Sequence, residues 1–282
     1  MHFSLCLLIL AVSNSLAQAP AEPEYVYVYM PYNFNRGPKQ PSCDTKEEPY
    51  CDELRSAAET IAYWEKEIER IKNDPKLDVD KKALKLADIE RDLRNTFGYR
   101  GTIYYRDKQY TRAIVDFDKA LTGDYKGLEK FRTVRGDACF LLNRYNDALE
   151  DYNTAIEGNP NLWRAYYGRG NVYYKHGDFD TAFENYDRAV FLNRRASEAY
   201  YARALIYIRR GDEFSARDNG FLATEAYNAA LDDLEFVLEI KGRAIETCKM
   251  LARVHEALGH EVEAEKFLKR VEEMTPKPKT EN

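Results

Sequence analysis

The stretch GRGNVYYKHGDFDTAFENYDRA, residues 168–189, indicates the fold class of this chain. Within it Gly170 lies twelve positions before Ala182, which is followed by Tyr186 four positions later and by Ala189 seven positions later. Side chains with these spacings lie on one face of a helix, so the pattern predicts a helix with a small–aromatic–small stripe. The His-Gly-Asp turn signal in the middle separates this helix from the one that carries Gly170.

The same pattern occurs five times. Its leading alanines are Ala113, Ala148, Ala182, Ala230 and Ala264, so that the fourth alanine comes later than a regular step predicts. Four of them have a small residue twelve positions earlier, namely Gly101, Gly136, Gly170 and Ala252. The fourth alanine instead has Ala204 at twenty-six positions earlier, so one insertion near residues 212–225 explains both irregularities. We predict that this insertion projects from the turn between two helices and that its deletion leaves the fold intact.

Small residues at fixed places on two successive helices let the backbones approach, while the aromatic side chain fills the gap beside them. Five units in register resemble the tetratricopeptide repeat family, whose unit of about 34 residues is a helix–turn–helix. The resemblance implies an all-α fold, a right-handed α-solenoid of about five units. The array is expected over residues 94–276, with units near 94–127, 128–161, 163–196, 197–242 and 245–276, followed by a tail at 277–282.

Residues 51–93 precede the first unit and have the periodicity of a helical pair. Leu54, Ile61 and Ile68 belong to one apolar stripe, which the segment Asn73-Asp74-Pro75 ends. Because a solenoid exposes an apolar face at each end, we expect this pair to form an N-terminal helical cap.

An arginine precedes the small residue of the first helix in four units. These residues are Arg100, Arg135, Arg169 and Arg203. Asp116, Asp151 and Asp233 stand three positions after the leading alanine on second helices. The recurrence favours an Arg–Asp ladder between stacked helices, and solvated surface charge is the alternative.

The N-terminus resembles a cleaved secretory signal. Residues 1–21 contain no charged side chain, and an apolar run from Phe3 to Val12 is too short to span a membrane. Small residues follow, so we expect a signal peptide over residues 1–17, with cleavage after Ala17 or Ala19. This predicts an exported protein, periplasmic or secreted, and a eukaryotic secretory lumen is the alternative compartment.

Residues 18–50 hold six of the ten prolines, which predicts an extended arm. The run Tyr25–Tyr29 alternates Tyr and Val and is either a strand that docks on a partner or part of a disordered tail. Cys43 and Cys51 flank a short loop, which in an oxidising compartment predicts a disulfide that pins the arm to the first helix.

Composition argues against several classes of function. The net charge of −6 disfavours a general nucleic-acid binder, which needs a basic surface. His255 and His260 resemble a zinc-protease helix but lie five apart rather than four. Gly168-Arg169-Gly170 lacks a preceding strand and the final glycine of a dinucleotide loop. We therefore predict no catalytic site, no metal, no cofactor and no stable membrane insertion.

The first helices of tetratricopeptide units line a concave surface that binds peptides. By that resemblance the stripe next to the packing residues faces inward. The expected groove residues are Tyr105, Phe140, Arg164, Tyr167, Asn171, Tyr174, Lys175 and Tyr201. An aromatic floor with a basic rim suits a peptide with acidic and apolar side chains. The alternative is that the tyrosines cover a convex or interhelical surface.

These observations predict a non-catalytic interaction scaffold that binds an extended peptide or a partner helix. The family's clamp for a terminal carboxylate is absent, because Tyr167 stands where a lysine is needed beside Asn171. The alternative function is a structural protein that forms homo-oligomers through the Tyr-Val arm or the 212–225 insertion.

Overall fold

The structure, a computed structural model, describes residues 50–123, 127–241 and 244–275, and these contain eleven helices and no strand. The helices are α1 (Cys51–Lys72), α2 (Val79–Arg106), α3 (Tyr110–Ala120), α4 (Glu129–Leu141), α5 (Tyr145–Gly158), α6 (Trp163–Lys175), α7 (Phe179–Leu192), α8 (Ser197–Ala216), α9 (Gly220–Lys241), α10 (Ile245–Ala257) and α11 (Glu261–Met274). From α2 onward they pack as five hairpins, α2/α3 to α10/α11. The predicted all-α array of helix–turn–helix units is confirmed.

Each hairpin turns at one residue with a positive φ. These residues are Lys108 (58°), Asn143 (59°), Gly177 (80°), Asp218 (60°) and Gly259 (74°). In the third turn the N–H of Gly177 donates to the carbonyl of Tyr174 at 3.1 Å, and that of Asp178 to the carbonyl of Tyr173 at 3.0 Å. This Schellman motif satisfies the last carbonyls of the first helix, and the other four turns repeat it.

The fourth hairpin differs from our prediction that residues 212–225 project from its turn. The extra residues lengthen both helices: α8 has 20 residues where α6 has 13, and α9 has 22 where α7 has 14. An extension of this length is about two helical turns, so it keeps the same face toward the partner helix. The extension adds a second place where α8 and α9 approach closely. There a Cβ on Gly211 would lie 2.5 Å from Cε1 of Tyr227.

The N-terminal cap also differs from the predicted helical pair over residues 51–93. Helix α2 is capped by Asp78, whose side chain accepts from the N–H of Lys81 at 2.8 Å, and it continues to Arg106. Residues 76–106 contain no proline, so no proline ends α2 at residue 94, where the repeat period places the start of the first unit. Helix α1 alone precedes the array and packs Ile61 against Phe97 and Ala120.

The predicted ladder is confirmed. Arg100 binds Asp116 at 2.6 and 2.8 Å, and Arg203 binds Asp233 at 2.9 and 2.7 Å. Arg169 binds an amide in the corresponding position, the Oδ1 of Asn185, at 2.8 Å. Buried carboxylates are therefore paired with guanidinium groups, as the cost of an unpaired buried charge requires.

The first helices lie on the inner side of the array in its first three units. Helices α2 and α4 approach each other, as do α4 and α6, whereas α3, α5 and α7 make no comparable contacts among the described residues. A stack of hairpins that contact through one set of helices curves toward that set. The first helices of these units therefore line the concave side of the array, and the direction of the individual side chains stays a prediction.

Several predictions fall outside the described residues. They concern the signal peptide over 1–17, the arm over 18–49, the Cys43 half of the Cys43–Cys51 disulfide and the tail at 277–282. These stay predictions. None of the described helices is long and apolar enough to cross a membrane.

Candidate interaction surface

A tyrosine of the second helix binds a polar residue on the inner face of the first helix in three hairpins. Tyr152 donates to Asp137 at 2.7 Å, Tyr186 donates to Asn171 at 2.8 Å, and Tyr227 donates to Asp212 at 2.8 Å. Each acceptor directly follows a glycine, namely Gly136, Gly170 or Gly211. The constant spacing of fifteen positions within each pair is the sequence signal that would have found these contacts.

Two inner-face carboxylates also bind an arginine of the following hairpin. Arg253 donates to Asp212 at 2.6 Å, and Arg164 donates to Asp137 at 3.4 Å. Burial raises the pKa of Asp137, and Arg164 and the Tyr152 hydroxyl oppose that rise. These contacts link the polar groups of neighbouring units along the inner face.

Two arginines of the first helices are ion-paired within the chain. Arg164 on α6 is paired with Asp137, and Arg209 on α8 pairs with Glu213 at 3.0 Å. The charge of both groups is thus compensated within the chain. Lys175 ends α6 and is half-buried.

Tyr105 is a core residue rather than part of an open groove. Its side chain is 8% exposed, and its ring lies 5.7 Å from that of Tyr110 in the core of the first two hairpins. Burial raises its pKa, so its hydroxyl stays protonated at neutral pH. The periodicity placed it on the inward stripe correctly, but it could not show that neighbouring units cover it. Phe140 is half-buried, with its ring 5.6 Å from Tyr145.

Three other predicted tyrosines are half-buried on α6 and α8. The ring of Tyr167 lies 5.9 Å from that of Tyr186, and Tyr174 meets Phe179 edge-on at 5.3 Å. Burial raises the pKa of Tyr201 to about 12, with smaller contributions from Glu246 and Tyr174. These three partly accessible rings, of Tyr167, Tyr174 and Tyr201, are called the tyrosine surface below.

The described residues offer no group of three or more His, Cys, Asp or Glu side chains that could hold a metal ion. His255 and His260 lie with their Nδ1 atoms 3.4 Å apart, and the His255 ring stacks on Phe267 at 5.6 Å inside the last hairpin. Cys139 is buried, and burial raises the pKa of its thiol to about 11, which disfavours the reactive thiolate. These side chains support packing rather than chemistry.

Comparison with known protein families identifies the repeats. Residues 136–177 match a family model described as a TPR repeat, and residues 163–195 match a model of the tetratricopeptide repeat. The matched segment contains hairpin α6/α7 and most of α4/α5, so this part of the chain consists of tetratricopeptide repeats. No curated protein matches the chain at a significant level.

Solved structures of MamA have a similar fold. A crystal structure of MamA protein superposes with a TM-score of 0.50 at 21% identity, over 64% of this chain and 90% of that one. MamA 41-end from Desulfovibrio magneticus RS-1 gives 0.50 at 16% identity, over 66% and 94%. The RS-1 ArsTM double mutant of MamA gives 0.51 at 16% identity, over 65% and 93%. At these identities the likeness shows a shared arrangement of helical repeats and nothing about partners.

Proposed function

We propose that this chain is a non-catalytic scaffold for protein–protein interaction, which binds an extended peptide or a partner helix on the inner face of its first helices. The observation that carries the proposal is the tyrosine surface. Its three rings come from two first helices and remain partly accessible, and two of them pack on second-helix aromatics, Tyr167 on Tyr186 and Tyr174 on Phe179.

Rigid, partly exposed tyrosines suit recognition. A tyrosine ring offers a large contact area with few rotatable bonds, so little conformational entropy is lost when a ligand covers it. The hydroxyl adds a hydrogen-bond donor at the edge of an apolar ring. Aromatic residues accordingly dominate the binding energy of many interfaces.

The pairing of charges on the inner face indicates which kind of ligand can bind there. Asp137 and Asp212 are each bound by a tyrosine and by an arginine of the next unit, so they offer little net charge to a partner. We infer a ligand that binds mainly through apolar and aromatic side chains and through its own backbone hydrogen bonds. The sequence suggested a peptide with both acidic and apolar side chains. Because Arg164 and Arg253 on this face are already paired, the ligand does not need the acidic ones.

The proposed compartment is an exported one. Support comes from the uncharged apolar start of the chain and from the small residues after it. N-terminal sequencing of the mature product is expected to begin at Gln18 or Pro20. Recovery of the chain with Met1 intact from the cytosol would contradict export.

Site-specific photocrosslinking tests the binding face. A photoreactive phenylalanine analogue at Tyr174 or Tyr201 is expected to capture a partner in native extract. The same analogue at Phe191, which is exposed on the second helix α7, is the matched control and is expected not to capture it. Capture at Phe191 alone would place the partner on the outer surface and reject the inner-face proposal.

A further inference from the structure

The last hairpin leaves a packing position uncovered. In the second, third and fourth hairpins the residue four positions after the leading alanine is Tyr152, Tyr186 or Leu234, and these are 1%, 2% and 0% exposed. The corresponding residue of α11 is Leu268, which is 44% exposed. Val271, three positions further along, is half-buried, whereas its counterparts in those three hairpins are buried.

The covering element inside the array is the first helix of the next hairpin. Tyr152 lies against α6 so closely that a Cβ on Gly168 would come within 2.4 Å of its Cζ. Ala165 and Val172, three positions before and four after Gly168, are fully buried in the same cluster. The cover is thus a helix with a stripe of small and β-branched residues, and none of the described helices occupies this place on α11.

Charge around Leu268 narrows the class of occupant. Glu261, Glu265 and Glu272 lie seven positions before, three before and four after it, on the same helical face, and all three are exposed. The exposed Lys269 directly follows Leu268, so the face keeps an excess of negative charge. Inside the array, α6 covers the acidic α5 and carries Arg164, Arg169 and Lys175 with no Asp or Glu. An acidic and apolar face is complementary to a helix of that kind.

The same charges disfavour a second copy of the chain. Two α11 helices packed through Leu268 would bring their glutamates together. Helix α1, at the other end of the described array, exposes Glu59 and Glu65 near Ala62 together with Lys66, while its exposed Glu69 pairs with Lys72 at 3.2 Å and Arg70 pairs with Glu67 at 2.6 Å. Like charges placed against each other at an interface lower affinity, so pairing of two copies through their α11 helices is unfavourable.

We propose that the uncovered face of α11 at the end of the described array, defined by Leu268, Val271 and the three glutamates, is a second interaction surface. It binds a basic amphipathic helix of a partner protein. The helix presents small apolar residues at i, i+3 and i+7 to Leu268 and places Lys or Arg beside the glutamates. This surface is separate from the inner face, so the proposal does not depend on the tyrosine surface.

The test uses the full chain and a peptide that copies residues 161–176, held helical by a staple placed away from Ala165, Gly168 and Val172. We expect saturable binding by fluorescence anisotropy. Leu268→Ser is expected to weaken it at least about tenfold, the size of a lost central contact. The matched control is Val262→Ser on the same helix, where the side chain is 76% exposed and points elsewhere; its effect is expected to stay within about twofold.

Two further variants test whether shape and charge determine the binding. A peptide with Gly168→Leu is expected to lose binding, because the small stripe can no longer approach α11. The double variant Glu265→Lys/Glu272→Lys is expected to weaken binding and to reduce its salt dependence.

Three results would overturn the proposal. They are no binding at millimolar peptide, equal losses for Leu268→Ser and Val262→Ser, and self-association of the chain that Leu268→Ser abolishes. Binding that occurs only after removal of residues 276–282 would assign the face to the chain's own C-terminal segment.

Discussion

Arg135 on α4 donates from Nη1 to Oδ1 of Asp118 on α3 at 2.6 Å, which joins two consecutive hairpins. Its Nε and Nη2 bind the carboxylate of Asp151 on α5 at 2.9 and 2.6 Å. The Asp151 side chain is 1% exposed, so water cannot replace the guanidinium. One side chain therefore holds the second helix of one unit against both helices of the next, and the ladder is part of the stacking itself.

Arg135→Met is expected to destabilise the chain by about 3–5 kcal/mol, because it leaves the Asp151 carboxylate buried without a counter-charge. Chemical denaturation followed by circular dichroism measures the change. The control is Arg144→Ala, since Arg144 and Asp147 form an exposed pair at 2.6 Å. That variant is expected to change stability by less than about 1 kcal/mol. Equal losses in the two variants would mean that the ladder is solvated surface charge.

Gly168→Ala is expected to destabilise the chain by about 1–3 kcal/mol, because the new methyl group would press on the Tyr152 ring. Gly220→Ala makes the same chemical change at the start of α9, where nothing lies within 4 Å of the new atom. There the loss of flexibility in the unfolded chain leaves stability the same or raises it by up to about 1 kcal/mol. Thermal melting of the two variants compares them directly, and a similar melting temperature for both would disprove the close approach of α5 and α6.

Deletion of residues 212–225 as one block is now expected to disrupt the fourth hairpin. It removes the turn residues around Asp218 and joins Gly211 directly to Ala226. Deletion of two shorter segments, 206–212 and 226–232, keeps that turn and also keeps Arg203 opposite Asp233. The paired deletion is expected to unfold cooperatively, and the block deletion is not. Cooperative unfolding of the block deletion would support the projecting loop that the repeat spacing suggested.

The fourth hairpin shows what the sequence could and could not predict. Counting from alanine to alanine detected the insertion and assigned it to the right hairpin. The count alone could not divide the inserted residues between a loop and two longer helices, because about two added turns on each side preserve the apolar pattern. The clue was Gly211, which precedes Tyr227 by the same interval at which Gly136 precedes Tyr152.

The inner face shows a second limit of prediction from the sequence. Helical periodicity predicted which residues share one stripe of the first helices, and Tyr167, Tyr174 and Tyr201 are half-buried there. It placed Arg164 at the rim of the groove but could not show that Arg164 pairs with Asp137 of the preceding unit. A pairing between two such distant positions depends on how two hairpins stack, which no single-helix pattern contains.

Acid is expected to weaken the last hairpin through His255. Burial, and then the neighbouring His260, lower the pKa of His255 below its ordinary value of 6.5, while Glu263 and Glu235 oppose the shift and Lys266 adds to it. A group whose pKa is lower in the folded state contributes stability above its unfolded pKa, and this contribution is lost as the pH falls through the folded value.

Urea denaturation at about pH 7.5 and about pH 5.5 measures this effect on either side of the unfolded histidine pKa. The drop in stability is expected to be smaller in His255→Gln than in the natural chain. His176→Gln, at an exposed turn position, is the control and is expected to keep the full drop. The same drop in all three proteins would show that other groups cause the acid sensitivity.

The tyrosine surface is expected to separate binding from stability. Gly170→Leu is expected to be the most destabilising change, since even a Cβ there would lie 2.6 Å from Cε1 of Tyr186. Tyr167→Ala is expected to cost less, because its half-buried ring packs on Tyr186 from one side. Tyr174→Ala with Tyr201→Ala is expected to weaken the partner captured on the inner face by about 2 kcal/mol or more, as interface hot spots do. Titration calorimetry with that partner measures the affinity of each variant, and its melting temperature measures the stability of the fold. A Tyr174/Tyr201 variant that melts as low as Gly170→Leu would make these rings core residues, and the inner face would then lose its aromatic binding surface.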